Sequence, residues 1–305
     1  MNSDFDHAMS DYTACLALTP DDYTALIHRG ALHMQRKEYG LAHVDFISAI
    51  RARPEMANAY ARNGQVYMAE QKYDDALKSF GDGLAASWYT LRFYLYRSEA
   101  YRVSGRYDEA IKEDDTAIVR DKTFAEAFLE RGRARRDSGD LKGATSDFKT
   151  ASDMESDDPD FQLSLGIAQW EGAQYDDAIR SFKRASGDFE QTRYAFLWLY
   201  FANMRERMPA SGLPEKAAKL ADPKWPGPLV GLIAGSKTAD EIFAAAKEAD
   251  TILRLCEANF YVGEWQLAQR NTVEGRRLLN AAIQTCVPFS AEHNAASIDL
   301  KRLAS

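Results

Sequence analysis

Arginine and tyrosine side chains recur along residues 58–136 at spacings that suit the binding of a peptide. The forked donors of a guanidinium group hold a carboxylate through two hydrogen bonds, and a tyrosine ring offers a surface for stacking. On one face of the protein, such residues predict a groove for an extended partner peptide that carries carboxylates. The residues predicted to line this partner groove are Asn58, Arg62, Gln65, Arg92, Tyr96, Glu99, Arg102, Arg133 and Arg136.

The acidic residues near these arginines keep a second interpretation open. Glu99, Glu126, Glu130 and Asp137 lie at spacings that allow ion pairs with the same arginines. The face would then be solvated and self-paired, and it would contribute little to the recognition of a partner. The sequence alone does not decide between a binding groove and a self-paired face.

No motif of a catalytic or cofactor-binding site accompanies these residues. The chain has no Gly-rich phosphate loop, His-Glu-x-x-His, Gly-x-Ser-x-Gly or Cys-x-x-Cys sequence. His28 and His33 are separated by about 140° around a helix, so they cannot share a metal ion. We therefore expect a protein that is not an enzyme and that has no cofactor and no metal site.

A repeat of thirty-four residues predicts the elements that position the arginines. Small residues hold one position of the repeat, at Gly30, Gly64, Ser98, Gly132 and Gly166. A large aromatic residue holds another, at Phe46, Phe80, Phe148 and Phe182, with Asp114 in its place in the third repeat. This period and pattern are typical of tetratricopeptide repeats (TPR), in which stacked pairs of antiparallel helices form the core. We predict an all-α fold, a TPR solenoid whose helix pairs form a right-handed superhelix.

Asp114 is the exception in this pattern because it occupies a position that is otherwise aromatic. We expect its carboxylate either to turn outward or to find a partner among the nearby arginines.

The phase of the repeat divides the chain into four segments. They are residues 1–20, the second helix of an incomplete TPR; 21–190, five tandem TPR units; 191–250, an apolar helix and a Pro-rich helical insertion; and 251–305, a final TPR-like helix pair plus a C-terminal helix. The unpaired N-terminal helix would expose Phe5, Met9 and Tyr12 to water. We therefore expect either a homodimer through this helix or an upstream segment that covers it.

Two of the three cysteines are placed to form a disulfide. Cys256 and Cys286 lie fifteen residues on either side of Asn271, where the final pair turns. Equal distances from the turn of an antiparallel pair bring residues to the same height, and packed helices then allow Cα atoms to approach within disulfide range. We predict a Cys256–Cys286 bond with Cys15 free, and two reduced cysteines that act as small apolar residues are the alternative.

Four stretches after the repeat array resemble the C-terminal half of the bacterial NlpI-type lipoproteins. They are Tyr194–Tyr200, the segment around Trp225, Asn259–Gly263 and Ala291–His293. The resemblance implies a non-catalytic TPR adaptor of the periplasm, membrane-anchored in its full-length form. Such an adaptor dimerises, holds a C-terminal-processing protease and presents peptidoglycan hydrolases to it. A cytoplasmic TPR co-factor that binds a regulatory partner peptide is the alternative function.

Composition narrows the classes of partner further. The net charge of −8 and the isoelectric point of about 5.3 argue against a nucleic acid as the main partner. No run of apolar residues is long enough to cross a bilayer, so we expect no transmembrane segment.

Overall fold

The computed structural model describes residues 3–87, 90–156, 158–186, 193–206, 212–248, 252–288 and 290–304, and these ranges contain helices and no strand. The chain divides into two compact units, Met1–Ser138 and Gly139–Ser305. This boundary lies inside the predicted array of residues 21–190. The helices of the first unit are α1 Ser3–Leu18, α2 Tyr23–Gln35, α3 Tyr39–Ala52, α4 Ala57–Ala69, α5 Tyr73–Ala86, α6 Arg92–Val103, α7 Tyr107–Arg120 and α8 Ala125–Ser138.

The second unit continues the repeat and then departs from it. Its helices are α9 Leu141–Met154, α10 Pro159–Glu171, α11 Tyr175–Ala185, α12 Arg193–Arg205, α13 Leu213–Leu220, α14 Gly227–Ile233, α15 Ala239–Glu248, α16 Ile252–Ala268, α17 Thr272–Thr285 and α18 Ala291–Arg302. The pair α10/α11 follows the repeat, α12–α15 interrupt it, and α16/α17 resume it. No helix in the described ranges has the length and apolarity that a membrane span requires.

The first helix of each pair ends in a turn with one left-handed residue. Lys37 has φ 60°, and its amide and that of Glu38 donate hydrogen bonds of 2.9 Å to the carbonyls of Met34 and His33. These bonds satisfy carbonyl groups that the end of the helix leaves without partners. Positive φ returns at Gln71, Gly105, Gly139, Ala173 and Arg270. The sequence period therefore corresponds to a repeated backbone turn as well as to a repeated core.

Close contact between glycine and phenylalanine holds the two helices of a pair together. A Cβ atom at Gly30 would lie 2.7 Å from Cε1 of Phe46, and one at Gly64 would lie 2.2 Å from Cε1 of Phe80. Both rings are essentially inaccessible to solvent. Glycine is needed at this position because the ring of the second helix occupies the space that a side chain would fill. The same contact recurs between Gly166 and Phe182.

The third pair fills this position with a hydrogen bond instead of a ring. The Ser98 hydroxyl donates to a carboxylate oxygen of Asp114 over 2.7 Å, and Asp114 is fully buried. The expectation that Asp114 turns outward or pairs with an arginine was wrong. The nearby arginines bind its neighbours, Arg97 to Glu113 and Arg131 to Asp115. Serine takes part of the volume of the missing ring, and the short acidic side chain reaches it.

The residue before the small position also links the two helices of a pair. Arg29 binds Asp45, and Arg97 binds Glu113, each across sixteen residues. In the second pair the link is weaker, because Asn63 lies 3.5 Å from the Ser79 hydroxyl. Polar and apolar contacts thus alternate along the same helix–helix interface.

The apolar face of the N-terminal helix α1 is covered by the rest of the chain to a greater extent than the sequence predicted. Arg36, which follows the last residue of α2, lies over the Phe5 ring, with its guanidinium carbon 4.7 Å from the ring centroid. Tyr12 stacks on His28, and the ring centroids are 5.4 Å apart. Phe5, Met9 and Tyr12 are therefore partly buried within the chain itself. A homodimer through α1 stays a prediction.

Aromatic side chains dominate the core of the second unit. Trp198 of α12 lies 5.5 Å from Trp170 and 5.2 Å from Phe260 between ring centroids, and all three are buried. The Pro-rich insertion is tied to this core through Glu257, which accepts hydrogen bonds from Tyr194 and from the indole of Trp225. Burial raises the pKa of the Glu257 carboxyl. The interruption of the repeat is thus a packed part of this unit.

The final pair is joined by a disulfide at its open end. Cys256 of α16 and Cys286 at the end of α17 are bonded, with Cα atoms 4.6 Å apart, and both are buried. Cys15 is a free thiol. The close-packed position of this pair holds Gly263, and a Cβ atom there would lie 3.2 Å from a methyl group of Leu279. Leucine therefore replaces the aromatic ring in the pair that carries the disulfide.

Candidate functional site

The first helices of the pairs form a row in residues 1–138. Helix α4 contacts both α2 and α6, and α6 also contacts α8. The second helices α3, α5 and α7 pack against this row. The predicted partner groove lies on α4, α6 and α8, so its residues share one row of helices.

The outermost residues of the predicted groove are open to solvent. Asn58 and Arg62 of α4 are exposed, and Arg62 lies 3.5 Å from the amide oxygen of the half-buried Gln65. Arg92 of α6 keeps 56% of its side chain exposed and lies 3.5 Å from Glu126 of α8. Contacts of this length between exposed groups contribute little to stability. These side chains are therefore available to a partner.

Tyr96 is fixed by the core beneath the groove. Its ring centroid lies 5.2 Å from that of Phe80 and 5.8 Å from that of Phe93, with an edge-on geometry toward Phe93. Aromatic pairs at such distances hold each other in place. Tyr96 is therefore held in place by the core and remains partly exposed.

The inner arginines are engaged with buried or half-buried carboxylates. Arg102 of α6 and Arg136 of α8 bind the same carboxylate, Asp137, at 2.7 and 3.2 Å, and its side chain is inaccessible to solvent. Arg133 binds Glu130 at 2.6 Å. Replacing Arg102 or Arg136 by an acidic residue would leave Asp137 buried without its full complement of partners, which destabilises a protein strongly. These two positions support the fold as well as the groove.

Charge balance is the main electrostatic property of the predicted groove. Partial desolvation and the nearby Glu130 carboxylate raise the pKa of Glu99, which still keeps part of its surface in solvent. The predicted groove has four arginines on α6 and α8, and these two helices also carry four acidic residues, as the self-paired interpretation expects: Arg92, Arg102, Arg133 and Arg136, with Glu99, Glu126, Glu130 and Asp137. Whether this face binds a partner stays a prediction.

A cleft in the second unit was not anticipated from the sequence. It encloses about 820 Å³ between the C-terminal parts of α12 and α16. Its walls are Phe201, Met204, Arg205, Glu264, Leu267, Ala268 and Arg270. These residues come from segments about sixty positions apart, one within the interruption of the repeat and one after it, so no periodic signal links them. The one visible hint was Arg205, a charge at the end of a very apolar helix.

Arg205 anchors a buried ionic cluster at the base of this cleft. Its guanidinium group donates to both oxygens of Glu264, at 2.8 and 3.1 Å, and lies 3.2 Å from Asp299 of α18. Arg302 binds Asp299 as well, at 3.2 Å, and donates to the backbone carbonyl of Glu171 at 2.7 Å. The cluster thereby ties α12, α16 and α18 to the end of α10.

Glu264 is the titratable group of the cleft. Burial, and next the Asp299 carboxylate, raise its pKa to about 8. The guanidinium group of Arg205 acts in the opposite direction and lowers the pKa of Glu264. Among the described residues, no group of three His, Cys, Asp or Glu side chains is arranged to hold a metal ion.

Comparison with known proteins agrees with the repeat. The family model for the tetratricopeptide repeat matches residues 61–125 and 129–199. No curated protein matches the chain.

Three solved structures are similar to the chain in fold. A tetratricopeptide repeat protein from Parabacteroides merdae has a TM-score of 0.50 and 14% identity, over 90% of this chain and 98% of its own. The C-terminal part of a TPR repeat-containing protein from Cytophaga hutchinsonii has a TM-score of 0.50 and 19% identity, over 85% and 95%. The pilF protein of Pseudomonas aeruginosa has a TM-score of 0.50 and 18% identity, over 75% and 96%. At these identities the likeness concerns the fold alone. The helix pairs, the matched repeats and this likeness together show that the chain has the tetratricopeptide-repeat fold.

Proposed function

We propose that the protein is a non-catalytic scaffold of the bacterial cell envelope that docks partner proteins on the first helices of its repeats. Tetratricopeptide-repeat proteins generally mediate protein–protein interaction. The observation that carries the proposal here is the row of α4, α6 and α8. It carries exposed Arg62 on α4 and exposed Arg92 on α6, about one helical turn before the fixed ring of Tyr96.

Partners with carboxylates in an extended segment suit this row, because exposed guanidinium groups bind carboxylates through paired donors. Resemblance to the NlpI-type adaptors extends the proposal to particular partners, a processing protease and peptidoglycan hydrolases. It also supports a homodimer as the working form of the protein.

The disulfide supports a periplasmic location. A bond such as Cys256–Cys286 persists in oxidising compartments and is rare in the cytosol. A reduced pair would favour the alternative, a cytoplasmic TPR co-factor that binds a regulatory peptide. Alkylation of the denatured, unreduced protein followed by intact-mass measurement decides between them. We expect one label per chain, on Cys15, and three labels would contradict the periplasmic proposal.

A pull-down from the envelope of the source cell tests the groove. The variant Arg62→Glu/Arg92→Glu reverses two exposed charges and leaves the buried Asp137 cluster intact. We expect it to lose the partners that the wild-type protein captures, identified by mass spectrometry. The matched control is Arg51→Glu/Arg53→Glu. Both residues lie at the end of α3, which is the second helix of its pair, so neither belongs to the row of first helices.

The circular dichroism spectrum of both variants should match that of the wild type. If the double groove variant keeps every partner, or if the control loses the same ones, the first helices are not the docking surface.

A further inference from the structure

The cleft of the second unit combines an apolar wall and a cationic group within one helical turn. Phe201 and Arg205 are four residues apart on α12, so their Cβ atoms are about 5–6 Å apart. Across the cleft, Glu264, Leu267 and Ala268 share one face of α16 in the same way. A ligand that fills the cleft therefore meets charge and apolar surface at short separation.

The electrostatic balance of the cleft favours an anion. Arg205 faces Glu264 and Asp299, and Arg302 faces Asp299 from the same helix, α18. Among the residues that line the cleft, two are arginines, Arg205 and Arg270, and one, Glu264, is acidic, so the lining carries more positive than negative charge. Arg270 adds a further positive charge at the rim, and it has no ion-pair partner within the described part of the chain.

The turn that carries Arg270 fixes its position. Its backbone is left-handed, with φ 65°, and its amide donates to the carbonyl of Leu267 over 2.9 Å. The following amide, of Asn271, donates to the carbonyl of Gln266 over 2.9 Å. Arg270 therefore projects from a hydrogen-bonded turn next to the apolar wall formed by Met204 and Leu267.

The short separation of charge and apolar surface selects one kind of peptide. In an extended chain, successive side chains point to opposite faces, so an internal acidic residue and its apolar neighbour do not enter one cleft together. The last residue of a protein carries its carboxylate and its side chain on the same Cα atom. A C-terminal residue with a large apolar side chain thus matches the cleft in both charge and size.

We propose that the cleft between α12 and α16 binds the C-terminal residue of a partner protein, with its carboxylate at Arg270 and Arg205 and its apolar side chain against Met204, Leu267 and Phe201. This site deepens the proposed scaffold function, because it adds recognition of chain ends to the docking row of the first unit.

Short peptides test the proposal directly. The probe is a fluorescein-labelled Ala-Ala-Ala-Phe peptide with a free carboxylate, and its binding to the full chain is followed by fluorescence polarisation. The amide of the same peptide should bind at least about tenfold more weakly, because it loses charge-assisted hydrogen bonds. Replacing the last residue by serine should weaken binding as well. Equal binding of acid and amide, or no binding of the acid at millimolar concentration, would overturn the proposal.

Matched variants separate the cleft from the rest of the surface. Arg270→Glu should weaken the free acid at least about tenfold with an unchanged circular dichroism spectrum. Arg276→Glu, an exposed residue on α17 outside the cleft, should have no effect. Equal losses for both variants would show a general charge effect and overturn the site.

The groove variant Arg62→Glu/Arg92→Glu should bind the peptide as the wild type does. The two proposals can therefore fail separately. A groove variant that keeps every envelope partner contradicts only the groove, and equal binding of the acid and the amide contradicts only the cleft.

Discussion

The second and third helix pairs build the same contact from different chemistry. In α4/α5 a glycine, Gly64, accepts the ring of Phe80, whereas in α6/α7 a serine, Ser98, donates a hydrogen bond to Asp114. In both pairs the two residues are sixteen positions apart, so the geometry of the repeat is constant. The two residues of each contact therefore act as one unit, because the side chain that fits at one position depends on the side chain at the other.

The two solutions differ in energy. The Phe80 ring buries a large apolar surface, while Asp114 buries a carboxyl group with one oxygen that has no hydrogen-bond partner among the described residues. A buried polar atom without a partner costs free energy, and burial of an aromatic ring gains it. We expect the third pair to be less stable locally than the second.

The largest predicted effect is the loss of the aromatic ring. Phe80→Ala should lower the free energy of unfolding by about 3–5 kcal/mol, because it leaves a cavity against Gly64. Asp114→Ala removes an unfavourable buried group and should cost much less. Urea unfolding followed by circular dichroism gives both values. Similar losses for the two variants would mean that the third pair is as tightly packed as the second.

Replacement of the serine–aspartate contact by a glycine–phenylalanine contact gives the next largest effect. Ser98→Gly removes the hydrogen bond that Asp114 accepts and should lower the free energy of unfolding by about 1–3 kcal/mol. Asp114→Phe places a ring against the serine side chain and should cost about 1–3 kcal/mol through overpacking. The double variant rebuilds the glycine–phenylalanine contact and should be more stable than either single variant.

A double-mutant cycle from the same unfolding curves measures this coupling, for which we expect about 0.5–3 kcal/mol. Additive single effects would contradict the interpretation that the two residues act as one unit.

The pH dependence of stability sharpens the comparison further. Burial raises the pKa of Asp114 well above its ordinary value, and the nearby Glu130 carboxylate acts in the same direction. An acid with a raised pKa in the folded state takes up its proton more readily there than in the unfolded chain. Its favourable contribution is complete below the unfolded pKa of about 3.9 and is lost as the pH rises through the folded pKa.

Wild-type protein should therefore lose stability relative to Asp114→Asn as the pH rises above about 4. The asparagine variant keeps Asp115, Glu130 and Arg131 and lacks only the titrating group. Urea midpoints at several pH values provide the measurement. A constant difference between the two proteins would show that Asp114 does not change its protonation in this range.

The smallest predicted effect concerns the repeated turn. Ala173 has φ 58° where the third pair has Gly105, so Ala173→Gly should stabilise the protein by about 0.5–1 kcal/mol. Gly105→Ala is the matched change in the opposite direction, and no atom lies within 4 Å of the Cβ that it would add. Thermal unfolding of the two variants should move the midpoint in opposite directions. A shift of the same sign would mean that contacts outside the backbone control this turn.

Periodicity made most of the fold predictable and little of the binding surface. Small residues recur at the repeat position of Gly30, and aromatic residues recur at that of Phe46. This recurrence indicates where the helices pack, because a repeat imposes the same contact many times. Ser98 fits the small position of the repeat and Asp114 departs from the aromatic one, and the hydrogen bond between them is apparent only from their proximity across the pair.

The groove and the cleft required the structure for a different reason. Asp137 lies next to Arg136 in sequence and thirty-five residues from Arg102, and only the packing of α6 on α8 shows that it serves both. The cleft joins Arg205 and Glu264 across an interruption of the repeat, where no period relates one helix to another.

The Ser98–Asp114 contact also constrains the evolutionary history of the repeat. Two single-substitution intermediates separate the glycine–phenylalanine pair from the serine–aspartate pair. Serine with phenylalanine is overpacked, and glycine with aspartate buries a carboxyl group without its hydrogen bond. We expect each intermediate to be less stable than its neighbours, so that the two sites are epistatic and the order of substitution matters. A solenoid tolerates such intermediates because its stability is approximately a sum over repeats and their interfaces. In homologous chains, positions 98 and 114 should therefore change together.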